Sequence, residues 1–124
     1  MNKKEVINES TVVPYSQAVV ANGFMYVSGQ IPMNLETGEV VIGTIEEQTR
    51  LVLDNIKIAL KTKALGLDSV IKTMIFVTDL NDYATVNAVY AEYFSKGYPA
   101  RSCVEVSALP RGVNVEIECI AICN

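Results

Sequence analysis

Two short apolar runs, Ala18–Ala21 and Phe24–Val27, flank the polar pair Asn22-Gly23. Asn-Gly accommodates the positive φ angles of a two-residue type I′ turn, so the pattern predicts a β-hairpin. Its second strand runs on through Ser28-Gly29-Gln30-Ile31 and stops at Pro32. A further turn falls around Glu36-Thr37-Gly38, followed by a short strand over Glu39–Ile42. The period then changes from strand to helix. Thr44 and Glu47 form a capping box, and Ile45, Val52, Ile56, Ala59 and Leu60 recur at helical spacing with Arg50, Asp54, Lys57 and Lys61 opposite. Gly66 is the expected stop. Val70–Thr78 is rich in β-branched residues and reads as a strand with two largely apolar faces, Ile71, Thr73, Ile75 and Val77 against Lys72, Met74, Phe76 and Thr78. Asp79 or Asn81 opens a second helix that runs to about Ser95, with Tyr83, Val86, Tyr90 and Phe94 as its apolar stripe. Arg101–Val106 is a short strand, Leu109-Pro110-Arg111-Gly112 a turn, and Val113–Cys123 the last strand.

Hairpin, strand, helix, strand, helix, strand, strand is the order of an α+β domain, a mixed sheet with two helices packed on one face. Two helices cannot cover both faces, yet the central strands are apolar on both. A second copy of the chain is the economical cover, so a homo-oligomer is expected.

The 124 residues make one domain, 1–124, without repeat or linker. The net charge of −4 and the scattered Lys and Arg argue against a nucleic-acid partner. No apolar h-region follows the lysines near the start, and no apolar run reaches the ~18 residues of a membrane helix. A cytoplasmic location is expected. Three cysteines, Cys103, Cys119 and Cys123, fit reduced thiols. Cys119 and Cys123 stand ~13 Å apart along one strand, too far for a bridge or a shared metal. The chain contains no His, which removes the commonest metal ligand and general base and every His-dependent triad. Neither a P-loop nor a Rossmann fingerprint is present. No metal or cofactor is expected.

Several residues stand out against this background. In the last strand Glu116 and Glu118 share a face with Ile120 and Ile122; they sit either at an exposed strand end or in a cleft at an oligomer interface, where a cation or a water must satisfy them. Arg101, after Tyr98-Pro99-Ala100, is either a solvated charge or a planar fork for a carboxylate. Asn87 falls within the second helix's apolar stripe, and its amide either ties the helix to a neighbouring segment or lines a pocket. Gly29, after Ser28, marks a bulge or a close approach by a ligand or backbone. Tyr15 follows Pro14 and either packs or reaches a cleft. Cys103 has no His to activate it and reads as core or pocket wall.

The segments Ser28-Gly29-Gln30-Ile31-Pro32, Asp79-Leu80-Asn81-Asp82, Thr85-Val86-Asn87 and Pro99-Ala100-Arg101-Ser102-Cys103-Val104-Glu105-Val106 resemble the RidA family, also called the YjgF family, of reactive intermediate deaminases. Leu109-Pro110 and Val115-Glu116-Ile117-Glu118 extend the likeness over essentially the whole chain. The resemblance implies a chorismate-mutase-like fold and a homotrimer whose sheets form a central barrel, with clefts between subunits. It implies cofactor-free hydrolysis of 2-iminopropanoate and 2-iminobutanoate to 2-oxo acids and ammonia. Arg101 would clamp the carboxylate and Glu116 position the water; the Gly29 N–H and the Cys103 main chain would assist, and Tyr15, Ser28 and Asn87 would line the pocket. Some relatives are described as endoribonucleases or translation inhibitors, and a binding or protective trimer without turnover is a third reading. Two departures from the family pattern bear on pocket size: Val13 precedes Pro14-Tyr15 where many deaminating members have Gly, and the Ser95–Tyr98 connection is short.

Overall fold

The computed structural model describes residues 3–124. Met1 and Asn2, the head of the segment read for a leader, lie outside the described residues. The strands are β1 (Glu5–Glu9), β2 (Ser16–Ala21), β3 (Phe24–Gln30), β4 (Val70–Val77), β5 (Ala100–Glu105) and β6 (Val115–Ile122), with helices α1 (Ile45–Lys61) and α2 (Tyr83–Tyr93). They form one mixed sheet in the order β1-β2-β3-β6-β4-β5. Among the described residues only β4 and β5 run parallel; their connection passes through α2. Both helices lie on one face, as expected. Their Val52, Leu53, Ile56, Ala59, Leu60, Val86, Val89 and Tyr90 close a core with Met25, Val27, Ile75, Val77, Val115, Ile117 and Ala121.

The local signals act as read at most junctions. Asn22 and Gly23 turn the hairpin with φ 51° and 83°. Thr44 Oγ1 accepts from the Glu47 N–H at 3.1 Å, and a Glu47 carboxylate oxygen accepts from the Thr44 N–H at 3.2 Å, a cap worth about 1 kcal/mol. Gln48 then joins α1 to the head of β6. Its Nε2 donates to Asn114 Oδ1 and its Oε1 accepts from the Asn114 N–H, both at 2.9 Å. This partly buried amide pair fixes where β6 begins, two residues before Glu116.

Five boundaries differ from expectation. Strand β1 is added at the edge; its Glu-Val-Ile-Asn-Glu sequence is mostly exposed and is extended because it pairs with β2. Glu39–Ile42 contributes a single bridge, Met33↔Val40, because Asn34 turns the chain tightly by accepting from Glu36 and Thr37 N–H. Helix α1 stops at Lys61, not Gly66: Ala64 takes the left-handed conformation at φ 58° and the Leu65 N–H reaches back to the Leu60 carbonyl. Asp79 caps a 3₁₀ turn over Leu80–Asp82, and α2 proper spans Tyr83–Tyr93. A register shift between Val70 and Lys72 turns Ile71 outward, leaving Val70, Thr73, Ile75 and Val77 facing the helices.

The other sheet face is bare in the single chain. Tyr26 pairs with Ile120, Phe24 with Ile122, Met74 with Glu118 and Phe76 with Glu116. Phe24, Tyr26 and Ile122 are 36%, 47% and 41% exposed.

Candidate functional site

The sequence-derived candidates divide into two groups, one on each face of the sheet. Arg101 lies on β5, an edge strand, as the register partner of Thr73. Thr73 is buried against α2, its Oγ1 2.8 Å from the Tyr90 hydroxyl, so the Arg101 side chain also runs on the helix side. There its Nη2 donates to Asn87 Oδ1 at 2.5 Å and to the Tyr83 hydroxyl at 3.2 Å. The guanidinium carbon stands 5.0 Å from the centre of the Tyr90 ring and 5.5 Å from that of Tyr83, a stacking worth about 0.5–2 kcal/mol. Tyr90 is fixed from behind by Phe94, stacked at 4.4 Å. Burial holds the Tyr90 phenol above its ordinary range, so it stays neutral. The Asn87 amide thus belongs to Arg101. Cys103, two residues along β5, packs against the core; burial raises its thiol and the Arg101 charge opposes this only in part. A raised thiol favours the neutral form and gives Cys103 no activation as a nucleophile.

Glu116 occupies the opposite face. It is the β6 partner of Phe76 and borders a groove of about 1040 Å³ together with Tyr15, Gly29, Gln30, Ile31 and Arg111. The β3–β6 ladder bulges between Val27 and Gln30. Gly29 sits in that bulge, and a Cβ there would lie 1.9 Å from Glu116 Oε2. The bulge and the close approach are therefore one feature: the glycine makes a niche that the carboxylate fills. Partial burial, and secondarily the charge of exposed Glu118, hold the Glu116 carboxyl above the usual carboxylate range. Among the described residues, the ion pairs are Arg50 with Glu46 and Glu92, and Lys63 with Glu5; neither Arg101 nor Glu116 takes part in them. The groove's far wall is set by α1, where Asn55 Nδ2 donates to the Ile31 and Met33 carbonyls at 3.2 and 2.8 Å.

Ser28 is turned to local use, its hydroxyl donating to the Ser16 carbonyl at 2.6 Å. Val13 borders the groove beside Tyr15. Ser95–Gly97 instead line a separate crevice of about 90 Å³ with Leu67, Asp68 and Tyr93. Tyr83 and Tyr90 were read from sequence as apolar stripe alone. Their spacing with Asn87, at i, i+4 and i+7, places all three on one face of α2, and that was the available signal for a cation cradle.

The mixed α+β sheet thus holds a guanidinium cradled by neutral groups on one face and a carboxylate of raised pKa on the other. Comparison with known proteins gives the family. The model described as endoribonuclease L-PSP matches residues 6–123. A RutC family protein of Pyrococcus horikoshii is 52% identical over 108 residues, covering 87% of this chain and 86% of that one. The Escherichia coli protein named 2-iminobutanoate/2-iminopropanoate deaminase is 45% identical over 116 residues, covering 91% and 90%. A solved Yersinia pestis structure described as a member of the conserved Rid protein family superposes with a TM-score of 0.91 at 50% identity, covering 97% and 99%. The chain belongs to the RidA (YjgF) family. No helix among the described residues is long and apolar enough to cross a membrane.

Proposed function

We propose that this protein hydrolyses small 2-imino acids, 2-iminobutanoate and 2-iminopropanoate, to 2-oxo acids and ammonia without a cofactor, in sites completed between subunits of a homotrimer. The observation that carries this reading is the division of the two charged groups. Arg101 and Glu116 sit on opposite faces and two strands apart, a lateral offset of about 10 Å. A substrate of three or four carbons does not span that path, whereas a neighbouring copy docked on the bare sheet face brings one chain's arginine to another's carboxylate. The same docking covers Phe24, Tyr26 and Ile122. The relatives named deaminases support the reaction class.

The chemistry follows from the two groups. Arg101 binds the substrate carboxylate and fixes the C=N carbon, so positioning supplies much of the rate. The imine enters protonated on nitrogen, and Glu116, held above its usual range, takes a proton from water as the oxygen attacks that activated carbon. Passing this proton to nitrogen gives an ammonium leaving group; the hydroxyl proton returns to Glu116 as C=O forms and ammonia departs. The Gly29 and Cys103 main chains orient the carboxylate and the water, and Tyr15 and Asn87 shape the pocket. The family model's description names an endoribonuclease; the net charge of −4 weighs against a polyphosphate ligand here.

A dehydratase that releases the enamine from threonine or serine supplies the substrate for the test, with oxo-acid formation followed over the slow background. Wild type is expected to accelerate release, and Arg101→Ala and Glu116→Gln each to lower it by roughly 10²–10⁴-fold. Unfolding and co-refolding the two variants together should restore about a quarter of the wild-type rate, because random mixing pairs an intact arginine with an intact glutamate at that frequency. Wild type without effect on either imine sinks the deaminase reading; absence of complementation between two active-site-dead variants sinks the shared site.

A further inference from the structure

The donors of Arg101 are already committed in an unusual way. A guanidinium offers a carboxylate two bidentate forks, one from Nε and Nη2 and one from Nη1 and Nη2. Both forks use Nη2, and each uses a different one of its two hydrogens. Here Nη2 makes both of the side chain's hydrogen bonds, to Asn87 at 2.5 Å and to Tyr83 at 3.2 Å. Both forks need Nη2, and Nη2 already serves two acceptors within the chain, so neither fork is fully open.

The two acceptors are not equivalent. Asn87 is half-buried in the middle of α2 and its contact is short, so it is the permanent one. Tyr83 is the first residue of α2, 44% exposed, and its contact is longer. A phenol on the outer turn of a helix swings away by side-chain rotation alone, with no backbone movement.

From this geometry we infer that Tyr83 is an affinity-setting residue that caps the Arg101 fork in the free protein, its hydroxyl standing where one oxygen of the substrate carboxylate binds. The inference rests on the reading of Arg101 as a carboxylate clamp. Ligand binds only the uncapped fraction, so the apparent dissociation constant is the intrinsic one divided by that fraction. In return the guanidinium is held against two tyrosine rings before substrate arrives, and a half-buried charge at the sheet edge is kept from adventitious anions. Asn87, by contrast, keeps its short bond to Nη2 throughout and so limits the side from which the carboxylate approaches.

The test is a calorimetric titration of 2-oxobutanoate, the product-class acid, into the assembled wild-type protein and into Tyr83→Phe, each with and without Arg101→Ala. Tyr83→Phe keeps the ring over the guanidinium and removes only the hydroxyl. It is expected to tighten binding by roughly threefold to tenfold, a gain of affinity that loss of a purely structural contact does not give. The tightening must vanish when Arg101→Ala is added. Unchanged or weaker binding by Tyr83→Phe, with Arg101→Ala still deficient, overturns the cap and leaves the clamp standing; so does tightening that persists without Arg101. If Arg101→Ala binds as well as wild type, or if neither wild type nor Tyr83→Phe binds the acid, the clamp reading itself falls and takes the cap with it.

Discussion

The two sides of the sheet treat charge in opposite ways. On the helix side, Arg101 is provided for within its own chain: an amide, a phenol and two aromatic faces surround it, and Tyr90 is itself locked by Thr73 and Phe94. On the open side, Glu116 has a niche but takes part in none of the ion pairs among the described residues, and partial burial with a like-charged neighbour keeps its carboxyl above the usual range. A guanidinium spreads its charge over a plane and is held well by neutral acceptors and π faces. A carboxylate of comparable burial needs donors. The arginine half is finished by folding; under the proposed function the carboxylate half is finished by assembly and substrate.

That contrast can be broken in separate places. The largest effect is expected from Gly29→Ala. The added methyl occupies the carboxylate's own position, 1.9 Å from Oε2, so Glu116 must swing out while the fold accommodates the change at a flexible side chain. Turnover should fall on the order of 10²-fold, while oxo-acid binding through Arg101 persists; equal loss of both would mean the halves are not separable. Next, Asn87→Ala removes the short contact that orients the guanidinium. KM should rise roughly fivefold to tenfold with kcat changed less. An effect confined to kcat would place Asn87 in the chemistry and not in the cradle. The smallest effect is electrostatic. Glu118 helps to hold the Glu116 carboxyl up, so Glu118→Gln should move the acid limb of the pH–rate profile downward by less than about one pH unit, and Asn87→Ala should not move it. An upward shift would show that Glu118 does not act as a like charge. Stability runs the other way from activity. A carboxyl with a raised folded pKa stabilises the fold when protonated and loses that contribution as pH rises through the folded value. Glu116→Gln should therefore melt slightly higher than wild type at neutral pH while losing turnover.

Much of this is legible in the amino-acid sequence. The Asn22-Gly23 turn, the Thr44 cap and the alternation of Val115, Ile117, Cys119 and Ala121 against Glu116, Glu118, Ile120 and Ile122 are local signals, and local physics enforces them. The edge strand β1 was not legible, because an exposed, charged segment becomes a strand only through its partner. Ile71 was assigned to the wrong face because a one-residue register shift inverts every side chain before it. Tyr83 looked like core because a helix face does not reveal which of its aromatic residues lies at the edge of the sheet.

The sequence by itself determined which groups are available for chemistry: one arginine in a distinctive strand, two alternate glutamates, a glycine at a strand's end, and no histidine at all. It also determined that two helices leave one apolar sheet face without cover. Only the tertiary structure decided that Arg101 and Glu116 face opposite sides, that Gly29 is empty because Glu116 fills its place, and that Asn87 and Tyr83 hold the same guanidinium nitrogen. Strand parity is fixed along one segment by the two-residue repeat, but the relation between the faces of different strands depends on register and crossover. Those are set by contacts between residues far apart in the chain, and no local pattern encodes them.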